Sequence, residues 1–173
     1  MKISFSKIII FCFIIFSLVI FWQALKKNKG YNTKDLIGSR ISNFQLKEIN
    51  NESKYISEED FKKNEYTLIN FFASWCAPCR DEHKYILNLS NKNKKIKIIG
   101  VNFKDKKNNA NNFLNELGNP YDFVGIDTDG KASILFGIYG IPESIIINKE
   151  LTVIKKIIGP INQTQYNDIL KLI

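Results

Sequence analysis

The pair Cys76-Ala77-Pro78-Cys79 directly follows the apolar run Leu68 to Trp75, and that junction constrains the fold more than any other stretch of the chain. An apolar, aromatic run ending at a Cys-x-x-Cys pair reads as a buried strand handing over to a helix that starts near Cys76. The first sulfur then sits where unpaired backbone N–H groups and the positive end of the helix dipole converge, which favours thiolate over thiol. Pro78 fits the first helical turn, where its missing N–H costs little, and it stiffens the span between the sulfurs. The sequence therefore supplies a nucleophile, Cys76, and a resolving thiol, Cys79, which together make a redox-active disulfide.

Three plainer readings compete with redox chemistry. A structural zinc site needs about four ligands, whereas the chain offers only Cys12, Cys76, Cys79 and the single His83, with Cys12 far away in an apolar segment. No metal site and no cofactor is expected. Covalent haem attachment requires His directly after the second Cys, and Arg80 stands there. A purely structural disulfide stays open, although so short a loop gains little unfolded-state entropy.

The formal net charge of +8 suggests nucleic acid until its distribution is considered. Lys2, Lys7, Lys26, Lys27 and Lys29 fall within the first 30 residues, which hold no acid; without them 20 basic residues face 17 acidic ones. The rest of the chain lacks an aromatic-interleaved basic stripe, so no nucleic-acid partner is expected. Between Lys7 and Lys26 lie 18 uncharged residues, IIIFCFIIFSLVIFWQAL, just enough to span a bilayer. This stretch is long for a signal-peptide core and lacks a small-x-small cleavage site, which favours an uncleaved anchor. Cys12 within it reads as an inert apolar residue. Flanking charges do not decide the orientation; the amino terminus is placed inside because a signal-like start sends the following domain across the membrane. The expected organisation is a tail over 1–7, a transmembrane anchor over 8–25, a linker over 26–35 and one domain over 36–173.

Within that domain, residues 44–49 alternate as a half-buried strand, Asn50-Asn51 reads as a turn, and 57–61 as a short capped helix. Strands are predicted over 67–72, 96–103, 144–147 and 153–158, and helices over 80–90, 108–117 and 163–172. Strands alternating with helices indicate an α/β sheet covered on both faces.

A CxxC after a buried strand, with Ile141-Pro142 placed before another such strand and 66 positions beyond Cys76, resembles the thioredoxin fold: a central mixed sheet with flanking helices. The segments WCAPCRDEH at 75–83, GVNFKDKKNNANNFLNELGNPYDF at 100–123 and DTDGKASILFGIYGIPESIIIN at 127–148 narrow the match. They resemble the CcmG/DsbE family, the membrane-anchored thioredoxins of cytochrome c maturation. The Asn119-Pro120-Tyr121 turn and the segment Gly137 to Glu143 carry its specificity, and the entry from Ile37-Gly38 to Phe44 fits as well.

The resemblance implies a cis proline at 142 facing the dithiol, with Ile141 offering its backbone to an extended substrate. It implies a periplasmic domain held by one inner-membrane span. The implied substrate is the CxxCH disulfide of apocytochrome c, or a haem-ligation partner among the maturation proteins. Electrons would come from a membrane donor of the DsbD/CcdA type. Asn70 stands where ordinary thioredoxins carry a buried Asp, so another base is needed. Glu82, three residues after Cys79 and on the same helical face, resembles the acid this family places there; a carboxylate complementing the helix dipole is the plainer account. Glu143 reads either as an acid setting the groove's charge or as an exposed strand-start residue. Trp75 reads as an apolar contact surface beside the dithiol or as a core aromatic. His83 is assigned no role. Two other functions stay open: a general extracytoplasmic reductase or oxidant, and a tethered module that binds apocytochrome without turnover.

Overall fold

The computed structural model describes residues 5–26, 36–41, 44–51, 53–92 and 95–173. Residues 1–4 of the expected tail and 27–35 of the expected linker lie outside them. The chain divides into two compact units, residues 1–33 and 34–173.

The first unit is the helix α1, Phe5–Lys26, which contains the 18-residue apolar run and extends past it at both ends. Its window Ser6–Gln23 has a mean hydropathy of 2.2, and 22 residues of helix reach about 33 Å. By length and composition α1 can cross a bilayer, as a signal sequence near the amino terminus also could.

The second unit runs β1 (Gln45–Glu48), β2 (Tyr55–Ser57), α2 (Glu58–Phe61), β3 (Tyr66–Phe72), α3 (Ala77–Lys92), β4 (Ile96–Phe103), α4 (Lys107–Leu117), β5 (Phe123–Asp127), α5 (Lys131–Leu135), β6 (Glu143–Asn148), β7 (Val153–Ile158) and α6 (Gln163–Leu172). The seven strands form one sheet in the order β2-β1-β5-β4-β3-β6-β7. β3, β4 and β5 are parallel, while β1, β2, β6 and β7 join antiparallel. This is the mixed sheet with flanking helices that the sequence led us to expect.

Every predicted element is present within a few residues. Three short ones, β2, β5 and α5, were not anticipated. Phe123-Val124-Gly125-Ile126-Asp127 carries a glycine in the middle of its apolar run, which weakens the strand signal. Pairing on both sides, with β4 and with β1, holds it extended.

Two apolar cores cover the two faces of the sheet. On one, Leu68, Phe72, Ile98 and Ile146 meet Ile86 and Leu89 of α3, Phe113 of α4 and Ile169 of α6, with Cys76 and Cys79 in the same cluster. On the other, Ile69, Phe71, Val101 and Ile145 meet Phe44, Phe61 and Phe136. Because side chains alternate along each strand, even positions of β3 and β6 belong to the cysteine face and odd positions to the opposite one. Both CxxC and Pro142 fall at one end of the sheet, where Phe71 at the close of β3 pairs with Glu143 at the start of β6. That is the end at which parallel strands finish and at which α/β sheets place their ligands.

Candidate active site

The dithiol is bridged: Cys76 and Cys79 form a disulfide with their Cα atoms 5.3 Å apart. Pro78 occupies the first turn of α3 as expected. The Cys79 amide donates to Cys76 Sγ at 3.2 Å, so a backbone N–H of the helix start points at the first sulfur. In the reduced state that donor and the helix dipole stabilise a Cys76 thiolate. Cys76 is 4% exposed and Cys79 1%, which leaves the first sulfur the more open of the two.

The short loop before the pair is bolted to the end of β4. Asp105 accepts from the Ser74 amide at 2.7 Å, the Ser74 hydroxyl at 3.0 Å, the Asn102 side chain at 3.1 Å and the Lys106 amide at 2.8 Å. Burial pushes its proton affinity up, but these four donors outweigh burial and hold the carboxyl below its ordinary value. Trp75, the next residue, is 59% exposed and donates from Nε1 to the Lys104 carbonyl at 3.3 Å. The core-aromatic reading of Trp75 is thereby overturned. Its ring lies open beside the disulfide, and Tyr139 and Ile158 at the same end of the sheet are exposed as well.

Ile141-Pro142 is a cis peptide bond. Pro142 is buried, Ile141 half-buried, and the Pro142 carbonyl accepts from the Gly159 amide at 3.0 Å.

Glu82 does not lie in the first turn of α3, and that turn holds no acid; the dipole-complementing account therefore fails. The side chain is 1% exposed on the cysteine side of the sheet. Oε1 accepts from Asn70 Nδ2 at 2.7 Å and Oε2 from the Ile161 amide at 2.7 Å. Ile161 is held there by α6, whose cap Asn162 accepts from the Thr164 and Gln165 amides while Gln165 accepts from the Asn162 amide. Burial pushes the Glu82 carboxyl up to about 7 against the pull of the Ile161 and Asn70 donors.

Glu143 is not exposed either. It is buried with Lys156 at 2.9 Å, and Oε1 accepts from the Tyr139 and Gly140 amides. Lys156 also donates to the Gly137 carbonyl at 2.6 Å. The cross-strand partner of Glu143, Phe71, belongs to the core opposite the cysteines, so Glu143 and Glu82 sit on different faces of the sheet. The exposed strand-start reading of Glu143 is corrected: its charge is compensated inside the fold.

His83 packs edge-on against Phe113 and donates from Nε2 to the Gly118 carbonyl at 2.8 Å. Burial pushes its proton affinity down. Among the described residues no three His, Cys, Asp or Glu side chains gather as a metal site would require.

Sequence reasoning missed the surroundings of Glu82. Asn70, treated only as a lost base, is fully buried and also donates to Ser144 Oγ at 3.0 Å, while its Oδ1 accepts from the Tyr121 hydroxyl at 2.7 Å. A lone amide inside an apolar strand was the signal available, since a buried amide demands partners.

Comparison with known proteins agrees with this geometry. The family model described as Redoxin matches residues 36–173. The thiol:disulfide interchange protein CycY of Rhizobium leguminosarum bv. viciae is 50% identical over 98 residues, 57% of this chain and 52% of that protein, so the match spans about half of the relative's length. The thiol:disulfide interchange protein HelX of Rhodobacter capsulatus is 34% identical over 128 residues, covering 74% of this chain and 71% of that one. Among solved structures, a thiol:disulfide interchange protein of the thioredoxin family from Chlorobium tepidum superposes with a TM-score of 0.66 at 24% identity, over 78% of this chain and 95% of the other.

Proposed function

The chain belongs to the redoxin family, and from that premise we propose that it is a periplasmic thiol:disulfide oxidoreductase, held at the inner membrane by α1, which reduces the CxxCH disulfide of apocytochrome c, or of its haem-ligation partner, before haem attachment. One observation carries the reading: a Cys76–Cys79 disulfide at a helix mouth, beside an exposed Trp75 and at the same sheet end as Pro142. The relatives named as interchange proteins support the exchange chemistry, and the segments that resemble the cytochrome c maturation family support the choice of substrate.

In the reduced state the Cys76 thiolate attacks one sulfur of the substrate disulfide, forming a mixed disulfide and expelling the other substrate sulfur as a thiolate. The Cys79 thiol loses its proton and attacks Cys76 Sγ, which closes the protein disulfide and releases the second substrate sulfur. Two electrons pass to substrate, and its two thiolates take up two protons. Glu82 receives the Cys79 proton, directly or through water. A carboxyl near 7 lies about 1.5 units from an ordinary thiol rather than about 4, so the transfer is that much less uphill. Trp75 and the backbone of Ile141, before the cis Pro142, hold the extended client. Glu143 braces the loop before Pro142 directly, through the Tyr139 and Gly140 amides, and Lys156 braces it through the Gly137 carbonyl. A membrane donor of the DsbD/CcdA type restores the dithiol.

The test mixes the full reduced chain, in detergent micelles, with an oxidised CxxCH peptide. The Cys79→Ser chain accumulates a Cys76-linked adduct, and Cys76→Ser forms none. Absence of the adduct in Cys79→Ser, or equal reaction with a scrambled oxidised peptide, rules the reading out. Equilibration with glutathione places the direction of exchange: a potential near about −270 mV fits a reductant, one near about −120 mV an oxidant.

A further inference from the structure

Asn70 sits at the centre of a row that crosses three strands: its neighbours in register are Ser144 on β6 and Gly100 on β4. Gly100 is required by its neighbour, because a Cβ there would stand 2.8 Å from the Tyr121 ring. The ring occupies that space, stacked on Phe72 with centroids 5.1 Å apart, and its hydroxyl reaches Asn70 Oδ1 at 2.7 Å. The amide nitrogen on the other side of Asn70 gives its two hydrogens to Glu82 Oε1 and Ser144 Oγ.

A side-chain amide has two orientations of nearly equal shape and opposite hydrogen-bonding sense. Turned one way, Asn70 gives Glu82 a donor and favours the carboxylate. Turned over, it presents Oδ1 to both Glu82 and Ser144; the Ser144 hydroxyl could donate to it, and Glu82 would be favoured as the protonated acid. What distinguishes the two is Tyr121. Its hydroxyl donates to Oδ1, and a turned amide would lose that bond and set two donors against each other unless the phenol hydrogen found another acceptor. Among the described residues, the titratable groups around Glu82 are Cys79, one turn back on α3, once its disulfide is reduced, and Tyr121 itself, whose ionisation is pushed up by burial and by the Glu82 charge. Asn70, Ser144 and the Ile161 amide are neutral, so the direction of one amide weighs heavily.

We propose that Tyr121 and Asn70 are positioning residues: the Tyr121 hydroxyl, by donating to Oδ1, fixes which way the Asn70 amide faces, and the amide so fixed keeps Glu82 a carboxylate able to accept the Cys79 proton. Tyr121 acts on Glu82 without touching it. The relay rests on the reading of Glu82 as that acceptor. It also accounts for Asn rather than Asp at position 70, since an Asp would set a second acceptor 2.7 Å from Glu82 Oε1 and force the two carboxyls to share a proton.

The decisive measurement is an NMR titration of carboxyl-labelled Glu in the oxidised full chain in micelles, with the Glu82 signal identified by its loss in Glu82→Gln. Tyr121→Phe keeps the ring and its stacking, and moves the Glu82 midpoint upward by about one unit, a tenfold rise in proton affinity. Asn70→Asp raises it further than Tyr121→Phe does. A Tyr121→Phe chain that is folded and bridged but titrates at the wild-type midpoint overturns the relay, because a hydroxyl with a merely structural role would alter stability and leave the midpoint alone. The oxidised chain has no Cys79 proton, so that result is separate from the acceptor reading. The latter is tested by the pH profile of mixed-disulfide resolution, which follows the Glu82 midpoint in wild type and shifts with it in Tyr121→Phe. A midpoint that moves while the resolution profile stays put removes the relay from the reaction and the acceptor role with it.

Discussion

Among the carboxylates buried at the dithiol end of the sheet, Glu82 and Glu143 lie on opposite faces, and their surroundings are opposite. Glu143 is matched by Lys156 at 2.9 Å, so its charge is compensated and the pair ties the loop 137–142 to β7. Glu82 is met by the Asn70 amide and the Ile161 N–H, and burial lifts its proton affinity to about 7. The contrast separates two uses of a buried acid. Lys156 makes Glu143 a structural anchor, whereas the two neutral donors that meet Glu82 do not offset its burial and leave it poised to exchange a proton near neutral pH.

The largest effect should come from breaking the anchored pair. Lys156→Met leaves Glu143 buried and uncompensated and costs about 3–5 kcal/mol in denaturant unfolding. The double variant Glu143→Met/Lys156→Met recovers much of that loss, since replacing both partners removes the stranded charge. A double variant as unstable as the single one would show that the pair is not what Lys156→Met disturbs. Next comes Glu82→Gln, read as a difference in pH dependence. The folded chain holds the Glu82 proton to about 7 while the unfolded chain releases it near 4.5. Between those values the folded state binds more protons, so wild-type stability falls as pH rises, by up to about 3 kcal/mol, and levels off above. Glu82→Gln lacks that fall, and unfolding at pH 5 and pH 8 compares the two; parallel profiles would contradict the poised state of Glu82. The smallest effect on stability is expected at Trp75, which lies in neither pocket. Trp75→Ala changes unfolding by about 0.5 kcal/mol or less but slows adduct formation with the CxxCH peptide, so unaltered adduct kinetics would remove Trp75 from the client surface.

Much of this architecture could be read along the chain because the signals are local. Alternating apolar periods marked the strands, a Cys-x-x-Cys after an apolar run marked the strand-to-helix junction, and the Pro78 position followed from helix-end chemistry. Glycine broke the pattern at β5, and β2 and α5 are too short to establish a period. Glu82 shared a helical face with Cys79 by spacing alone, yet its burial depended on α6 closing over it, which places the Ile161 amide 79 positions away in sequence. Glu143 could be read as a groove acid or as a surface charge because nothing in its neighbourhood names Lys156, 13 residues on. Only the pairing of β6 with β7 brings those two together.

The order of residues by itself determined an apolar first helix, a strand that delivers two cysteines to a helix start, and the chemistry those sulfurs can perform, because each depends on backbone geometry and spacing within a few residues. That Glu143 received a cation and Glu82 only amides was decided by tertiary structure. Charge compensation and desolvation depend on what distant parts of the chain bring within about 3 Å, and for Asn70 that meant Ser144 of β6, Glu82 of α3 and Tyr121 of the loop between α4 and β5.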